Sequence, residues 1–295
     1  MKALGSILSP CKINLHLDVL EKRPDGFHDL LSIFVQCDLY DKLEFFGISG
    51  KGCFSIEDAS GIPEKENILY KTYEILKKRL PDLPSLRVLL QKEIPLEAGL
   101  GGGSSNAAAM LCFVNALLGK PLDKQSLMDL GAELGSDVPF FLGSPQAVVS
   151  GRGETLHSLS PRTDYQVLLI NPGFGISTAK AFQAIDKQSG PAPYQGKFSI
   201  SQLTRLYEES DPLSWPFFNS FYPVVSVKHD FFKVLMQKFA EHKCLFSGLS
   251  GSGASVFAIF QDKREAEKAF FCFRKQYFFV KLIFPLAKST QPVLQ

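Results

Sequence analysis

Residues 11–20, Cys-Lys-Ile-Asn-Leu-His-Leu-Asp-Val-Leu, alternate apolar and polar with a period of two, which predicts a half-buried strand. Arg23-Pro24-Asp25-Gly26 reads as a turn, because Pro presets one corner and Gly accepts a positive φ. Further strands are predicted at 31–37, 41–47 and 85–91. Between them Ile68, Leu69, Tyr73, Leu76 and Leu80 recur at helical spacing behind Asn67, a good N-cap. A glycine-dense stretch follows, then a helix over 106–118 stopped by Gly119-Lys120-Pro121, a helix over 125–134 and a strand at 148–150. The pattern restarts beyond residue 160. It gives a strand at 165–170, a helix at 178–186, a linker-like loop at 187–197 and a helix at 230–242. A glycine loop with a strand at 245–260, a helix at 263–276 and a strand at 278–284 close the chain. Hairpin-like connections early and β-α-β connections later predict an α+β fold, divided into units at 1–160 and 161–295.

Composition narrows the function classes. The chain has 295 residues, 45% hydrophobic and 21% charged, an ordinary globular balance. With 32 Lys+Arg against 30 Asp+Glu it lacks the basic excess of a nucleic-acid binder. No run of about 18 apolar residues predicts a membrane span, and Ser9-Pro10-Cys11-Lys12 interrupts any signal-peptide core. Cys11, Cys37, Cys53, Cys112, Cys244 and Cys272 are scattered without a C-x-x-C pair, so reduced thiols and a cytoplasmic location are expected. No obligate protein partner is indicated. The one oddity is 26 Phe.

Three segments carry chemistry. Pro95-Leu-Glu-Ala-Gly99-Leu100-Gly101-Gly102-Gly103-Ser104-Ser105-Asn106 runs into the helix, and glycines that turn N–H groups one way before a helix N-terminus make an anion cradle suited to a di- or triphosphate. It is not a Walker A loop, for no Lys-Ser/Thr follows the glycines, nor a dinucleotide fingerprint, since Ser104 stands where the third Gly belongs. A flexible turn is the plainer alternative, at a cost in backbone entropy. In Gly135-Ser136-Asp137-Val138-Pro139, Asp137 is either a helix cap or a shielded carboxylate able to orient a hydroxyl or take its proton. Lys12 either snorkels from its strand or meets Asp137 beside a transferring phosphate. Gly248-Leu249-Ser250-Gly251-Ser252-Gly253 is a further glycine loop, either bland or part of the same phosphate site.

Taken in order, these segments resemble the three motifs of the galactokinase, homoserine kinase, mevalonate kinase and phosphomevalonate kinase (GHMP) superfamily. Ser9–Leu15 and Arg23–His28 narrow the likeness to its branch acting on a cytidine-diphosphate-linked methylerythritol in non-mevalonate isoprenoid synthesis. The likeness is close over 9–155 and patchy later, apart from 172–182 and the last glycine loop. It implies an N-terminal α+β kinase domain and a C-terminal ferredoxin-like domain with the active site between them, and ATP with Mg²⁺. It also implies that Lys12 and Asp137 form the catalytic pair, transferring phosphate to a tertiary 2-hydroxyl. Asn67, Lys92, Pro95, Gly99, Leu100, Gly101, Gly102, Gly103, Ser104 and Ser105 would hold the nucleotide, with Ser105 a candidate magnesium ligand. Asn14, Thr178, Gly248, Ser250 and Gly251 would join Asp137 on the substrate. Phe27 and Phe182 would stack the cytosine while His28 reads its edge. Phe27 replaces the Tyr usual in that branch, and Glu97-Ala98 places a negative charge beside the glycine run.

Overall fold

The computed structural model describes residues 2–50, 52–187 and 196–295. The expected loop at 187–197 therefore lies almost wholly outside the described residues. Two long strands, β1 (Lys2–Lys22) and β2 (His28–Gly47), form an antiparallel ribbon through the turn at Arg23–Phe27. The expected strands at 31–37 and 41–47 are one strand. Pairing passes from Cys11–Cys37 directly to Pro10–Tyr40, so Asp38 and Leu39 are extra residues in a bulge. Such a bulge bends a strand without ending it, and apolar periodicity alone reads the bend as a break.

The chain continues through β3 (Phe54–Asp58), α1 (Ile68–Arg79), β4 (Leu86–Gln91), α2 (Gly102–Leu117), α3 (Lys124–Leu134), α4 (Val138–Leu142), β5 (Gln146–Gly151) and β6 (Thr155–Ser158). β2 forks: residues 30–35 pair with β5 and residues 42–47 with β4. The helices cover one face of this sheet. Its core is built on Phe45 stacked face to face on Phe113 of α2, ring centres 3.8 Å apart, with Leu69, Tyr73, Leu76 and Met110 around them.

The rest of the chain adds β7 (Gln166–Asn171), α5 (Thr178–Asp186), α6 (Ile200–Glu209), α7 (Phe221–Ser226), α8 (Phe231–Glu241), β8 (Phe246–Leu249), β9 (Val256–Phe260), α9 (Lys263–Phe273), β10 (Phe279–Ile283) and β11 (Val293–Leu294). The order β10-β7-β9-β8, antiparallel throughout, is the ferredoxin-like arrangement. β11 returns to the first sheet and pairs with β1 at Gly5–Ser6. Between the two sheets lies a second core, in which Ile13, Leu15, Ile33 and Val35 of the ribbon meet Val167, Leu169, Phe257 and Ile259. This burial of apolar surface fixes the second sheet against the ribbon that carries Lys12. No helix among the described residues is long and apolar enough to cross a membrane.

Candidate active site

The alternation seen in β1 sorts its residues onto two faces. Ile13 and Leu15 enter the core between the sheets, while Lys12 and Asn14 face a cleft and are also buried; a register shift between Asn14 and His16 then interrupts the alternation, so Leu17 lines the cleft as well and His16 packs on Phe217. Buried polar groups require partners, and those of Lys12 and Asn14 define a site. The Lys12 N–H donates to Leu100 O (2.9 Å). Its ammonium donates to Asn14 Oδ1 (2.5 Å), lies 3.6 Å from Asp137 Oδ2 and sits over the Phe34 ring. Lys12 is 3% exposed, so it does not snorkel to solvent. Burial pulls its pKa below 10.5, and the Asp137 charge partly restores it. Asp137 opens α4 but caps nothing with its side chain. Of the two sequence readings, the carboxylate facing Lys12 is the one observed.

The glycine stretch differs from the expected loop in one respect: α2 begins at Gly102, not at Asn106. Gly102, Gly103 and Ser104 form the first turn, whose N–H groups have no helical carbonyl ahead of them and carry the positive end of the helix dipole. Gly101 precedes them at φ +70°. A side chain there would lie 3.0 Å from both Lys12 Cγ and Phe141 Cζ, whereas a Cβ on Gly103 would meet nothing within 4 Å. The backbone thus hugs Lys12 on one side and leaves room on the other.

One cleft of about 810 Å³ gathers most of the sequence-derived residues. Lys12, Asn14, Phe27, His28, Lys92, Pro95, Gly99–Ser104, Asp137, Thr178, Phe182 and Gly251 line it. Glu97 lines it too, at φ +49°. Four expected residues do not, each for a visible reason. Asn67 accepts from Leu69 N and caps α1, leaving Ile68 on the wall. Ser105 is buried, its Oγ accepting from Ser9 Oγ at 2.7 Å. Gly248 lies in β8, where a Cβ would come within 2.9 Å of the Phe257 ring. Ser250 is fully buried and donates to Gly99 O at 2.9 Å.

The last glycine loop therefore acts chiefly on the first. A Cβ on Gly99 would lie 2.0 Å from Ser250 O, so the two backbones touch. Ser255 N–H donates to Ala98 O (3.2 Å), and Gly251 N–H donates to Asn14 Oδ1 (2.9 Å), the same oxygen that holds the Lys12 ammonium. Thr178 at the start of α5 shares a 2.9 Å hydrogen bond with Ser252.

On the aromatic part of the wall, the His28 ring lies stacked on Phe182, centres 5.2 Å apart. Arg152 lies over the face of Phe27, which is half exposed. His28 Nε2 sits 2.9 Å from Asp186, and Lys22 bonds the other oxygen of that carboxylate. These partners, Lys22 first, hold Asp186 below the usual carboxylate range. Sequence reading missed Lys22, Arg152 and Asp186 because they come from three distant segments with no motif of their own. It also missed Asp41, a fully buried acid that binds Lys92 and Asn106 behind the first turn of α2.

Comparison with known proteins identifies the family and fold. The GHMP kinases N terminal domain model matches residues 67–144, and the GHMP kinases C terminal model matches residues 204–278. A 4-diphosphocytidyl-2-C-methyl-D-erythritol kinase of Thermodesulfovibrio yellowstonii is 36% identical over 272 residues, covering 88% of this chain and 90% of its own. A solved 4-(cytidine 5'-diphospho)-2C-methyl-D-erythritol kinase superposes with a TM-score of 0.76 at 27% identity, covering 95% of this chain and 98% of its own. A homoserine kinase of Cytophaga hutchinsonii shares the fold at a TM-score of 0.71 and 17% identity, covering 100% of this chain and 98% of its own. Fold alone thus does not separate these kinases, and sequence does. The chain belongs to the 4-diphosphocytidyl-2-C-methyl-D-erythritol kinase family, within the GHMP kinases.

Proposed function

We propose that the chain transfers the γ-phosphoryl group of ATP to the 2-hydroxyl of 4-diphosphocytidyl-2-C-methyl-D-erythritol. One observation carries this reading: a single cleft is lined by a helix N-terminus, by a buried Lys–Asp pair and by an aromatic wall with a histidine. The first turn of α2 supplies N–H donors for phosphate oxygens. Asp137 orients the attacking hydroxyl and accepts its proton as the new O–P bond forms and the bond to the β-phosphate oxygen breaks. Lys12, held by Asn14, faces the Asp137 carboxylate and places a cation where charge develops on the transferring group.

Phe27, His28 and Phe182 give the reading its substrate. A ring face suits a base of any type, and a histidine edge offers fixed donor and acceptor positions. With His28 lying on Phe182, a cytosine entering between Phe27 and Phe182 would displace that ring, or stack on Phe27 alone with His28 at its edge. Homoserine and mevalonate have no base to occupy this wall, which sets aside the other small-alcohol kinases. A nucleotide binder without turnover has no use for a buried Lys12 ammonium aimed at a carboxylate. We propose that magnesium enters as the counterion of the triphosphate. Ser105 does not suit it, its hydroxyl being buried and engaged by Ser9, and no three His, Cys, Asp or Glu converge among the described residues. ADP release measured with the cytidylylated methylerythritol beside homoserine and mevalonate tests the proposal. Faster turnover of either simple alcohol overturns it.

A further inference from the structure

We propose that Asp41 is the positioning residue of the nucleotide half of the cleft, an inference that rests on the kinase reading above. Asp41 sits in β2 opposite Ser9 of β1 and has no exposed surface. Each of its carboxylate oxygens takes two donors. Oδ1 accepts from the Glu93 and Ile94 N–H groups at 2.8 and 2.9 Å. Oδ2 accepts from Asn106 Nδ2 at 2.9 Å and from the Lys92 ammonium. Four donors fill the accepting capacity of a carboxylate, so Asp41 has nothing left with which to touch a ligand. It acts through what it holds.

What it holds is the frame of the phosphate cradle. Lys92 lines the cleft, and its Nζ would lie 3.4 Å from a Cβ on Gly102, the first residue of α2. Its ammonium reaches Asn106 Oδ1 as well, at 3.3 Å. Asn106 in turn donates to Ser9 Oγ at 2.9 Å, and Ser9 donates to Ser105. One buried charge therefore joins the segment entering the glycine stretch, the first turn of α2 and the cation beside it. It also neutralises Lys92, so that this lysine presents a fixed donor to the nucleotide in place of a loose charge. The Lys12–Asp137 pair and the Phe27–His28 wall make no contact with Asp41 in this network. Nucleotide binding is therefore the step that Asp41 controls, with the alcohol side left alone.

The test is ATP titration of the full chain by calorimetry, beside steady-state kinetics. Asp41→Asn keeps an acceptor for the two backbone N–H groups but turns an amide toward Lys92 and Asn106. We expect its ATP dissociation constant to rise about tenfold, with the KM for the alcohol within about twofold of wild type. Lys92→Met is expected to cost a similar factor, and the double variant little more than either single one, since coupled partners are not additive. A purely structural role would lower the unfolding midpoint and leave ATP affinity intact, and that result overturns the proposal, as does full additivity. Should Asp41→Asn fail to fold, Asn106→Ala decides by the same titration: weaker ATP binding with an unchanged KM for the alcohol supports the network, and unchanged ATP binding refutes it. Wild-type protein that binds no ATP would instead sink the kinase reading.

Discussion

Alanine at two glycines only two residues apart should move stability in opposite directions. Gly101 has φ +70°, where an L side chain costs about 1–2 kcal/mol. Its new Cβ would also stand 3.0 Å from Lys12 Cγ and Phe141 Cζ, contacts that neither a packed ring nor a hydrogen-bonded lysine relieves freely. Gly101→Ala should therefore lose about 2 kcal/mol of folding stability. Gly103 lies in the first turn of α2 with open space around it, so Gly103→Ala should gain up to about 0.5–1 kcal/mol. The functional losses differ as well. Pushing Lys12 by a few tenths of an ångström from Asp137 should lower kcat about tenfold to a hundredfold. A methyl in front of the helix N-terminus should instead raise the KM for ATP and spare kcat. Urea unfolding of both variants and steady-state kinetics with each substrate varied give all four numbers. Stability changes of the same sign, or a Gly101→Ala enzyme with wild-type kcat, would refute the packing argument.

Asp137→Ala should reduce turnover by about 10²–10⁴-fold, the usual yield of a positioned acid–base group, while leaving ATP affinity nearly unchanged; single-turnover rates beside ATP titration check both halves. Because burial holds the Lys12 pKa below 10.5, the rate should fall on an alkaline limb beneath that pH, and Asp137→Asn, which removes the charge that props it up, should move the limb lower still in whatever activity remains. His28→Ala should raise the KM for the cytidylylated substrate without altering that for ATP; equal effects on both would detach His28 from the base. His16 is fully buried with its pKa pushed down to about 3. The unfolded chain protonates near 6.5, so this contribution is whole above that pH and is lost toward pH 3 at about 1.4 kcal/mol per unit. His16→Asn should flatten the difference in urea midpoint between pH 7 and pH 5. The neighbouring Asp18, whose pKa burial raises, works in the opposite sense and is common to both proteins.

What was legible in the sequence follows the range of the interactions. α1, with its regular stripe behind the Asn67 cap, comes directly from local residues, and so do the bounds of α5 over 178–186, which has no side-chain cap. The glycine stretch was legible as the approach to a helix, but not its boundary. Glycine's poor helix propensity hides that Gly102 and Gly103 are helical; Gly102 lies against Ile94 and Lys92, contacts with residues outside the helix that its own sequence does not reveal. α6 and α7 went unread because their short apolar patterns gain meaning only from tertiary packing: Leu203 and Tyr207 against the ribbon, Phe221 and Val224 against the second sheet. Asp41 was invisible for a related reason. In Tyr40-Asp41-Lys42 it looks like any strand-edge acid, and its four donors come from residues 92–94 and 106.

Both substrates of this kinase are polyanions, yet the chain carries 32 cations against 30 anions. The site must therefore create positive potential without net charge, and its parts differ in how they do so. Lys22 is matched by Asp186 and Lys92 by Asp41, so each is a placed donor more than a free cation. Lys12 faces Asp137, the proton acceptor in the proposed transfer. Protonating Asp137 would leave Lys12 unpaired beside the transferring phosphate at the moment negative charge develops there, in a setting where burial strengthens the attraction. The first turn of α2 adds field through N–H groups with no titratable charge, and Arg152 over Phe27 is a further cation on the cleft wall. Salt should accordingly weaken binding less than for a surface cluster of lysines, because the buried Lys12 and Lys92 pairs are screened much less than exposed charges. On this account the near-zero net charge does not oppose a polyanion site: Asp41, Asp137 and Asp186 each face a lysine and hold it in place, and the helix N-terminus and Arg152 add positive potential beside them.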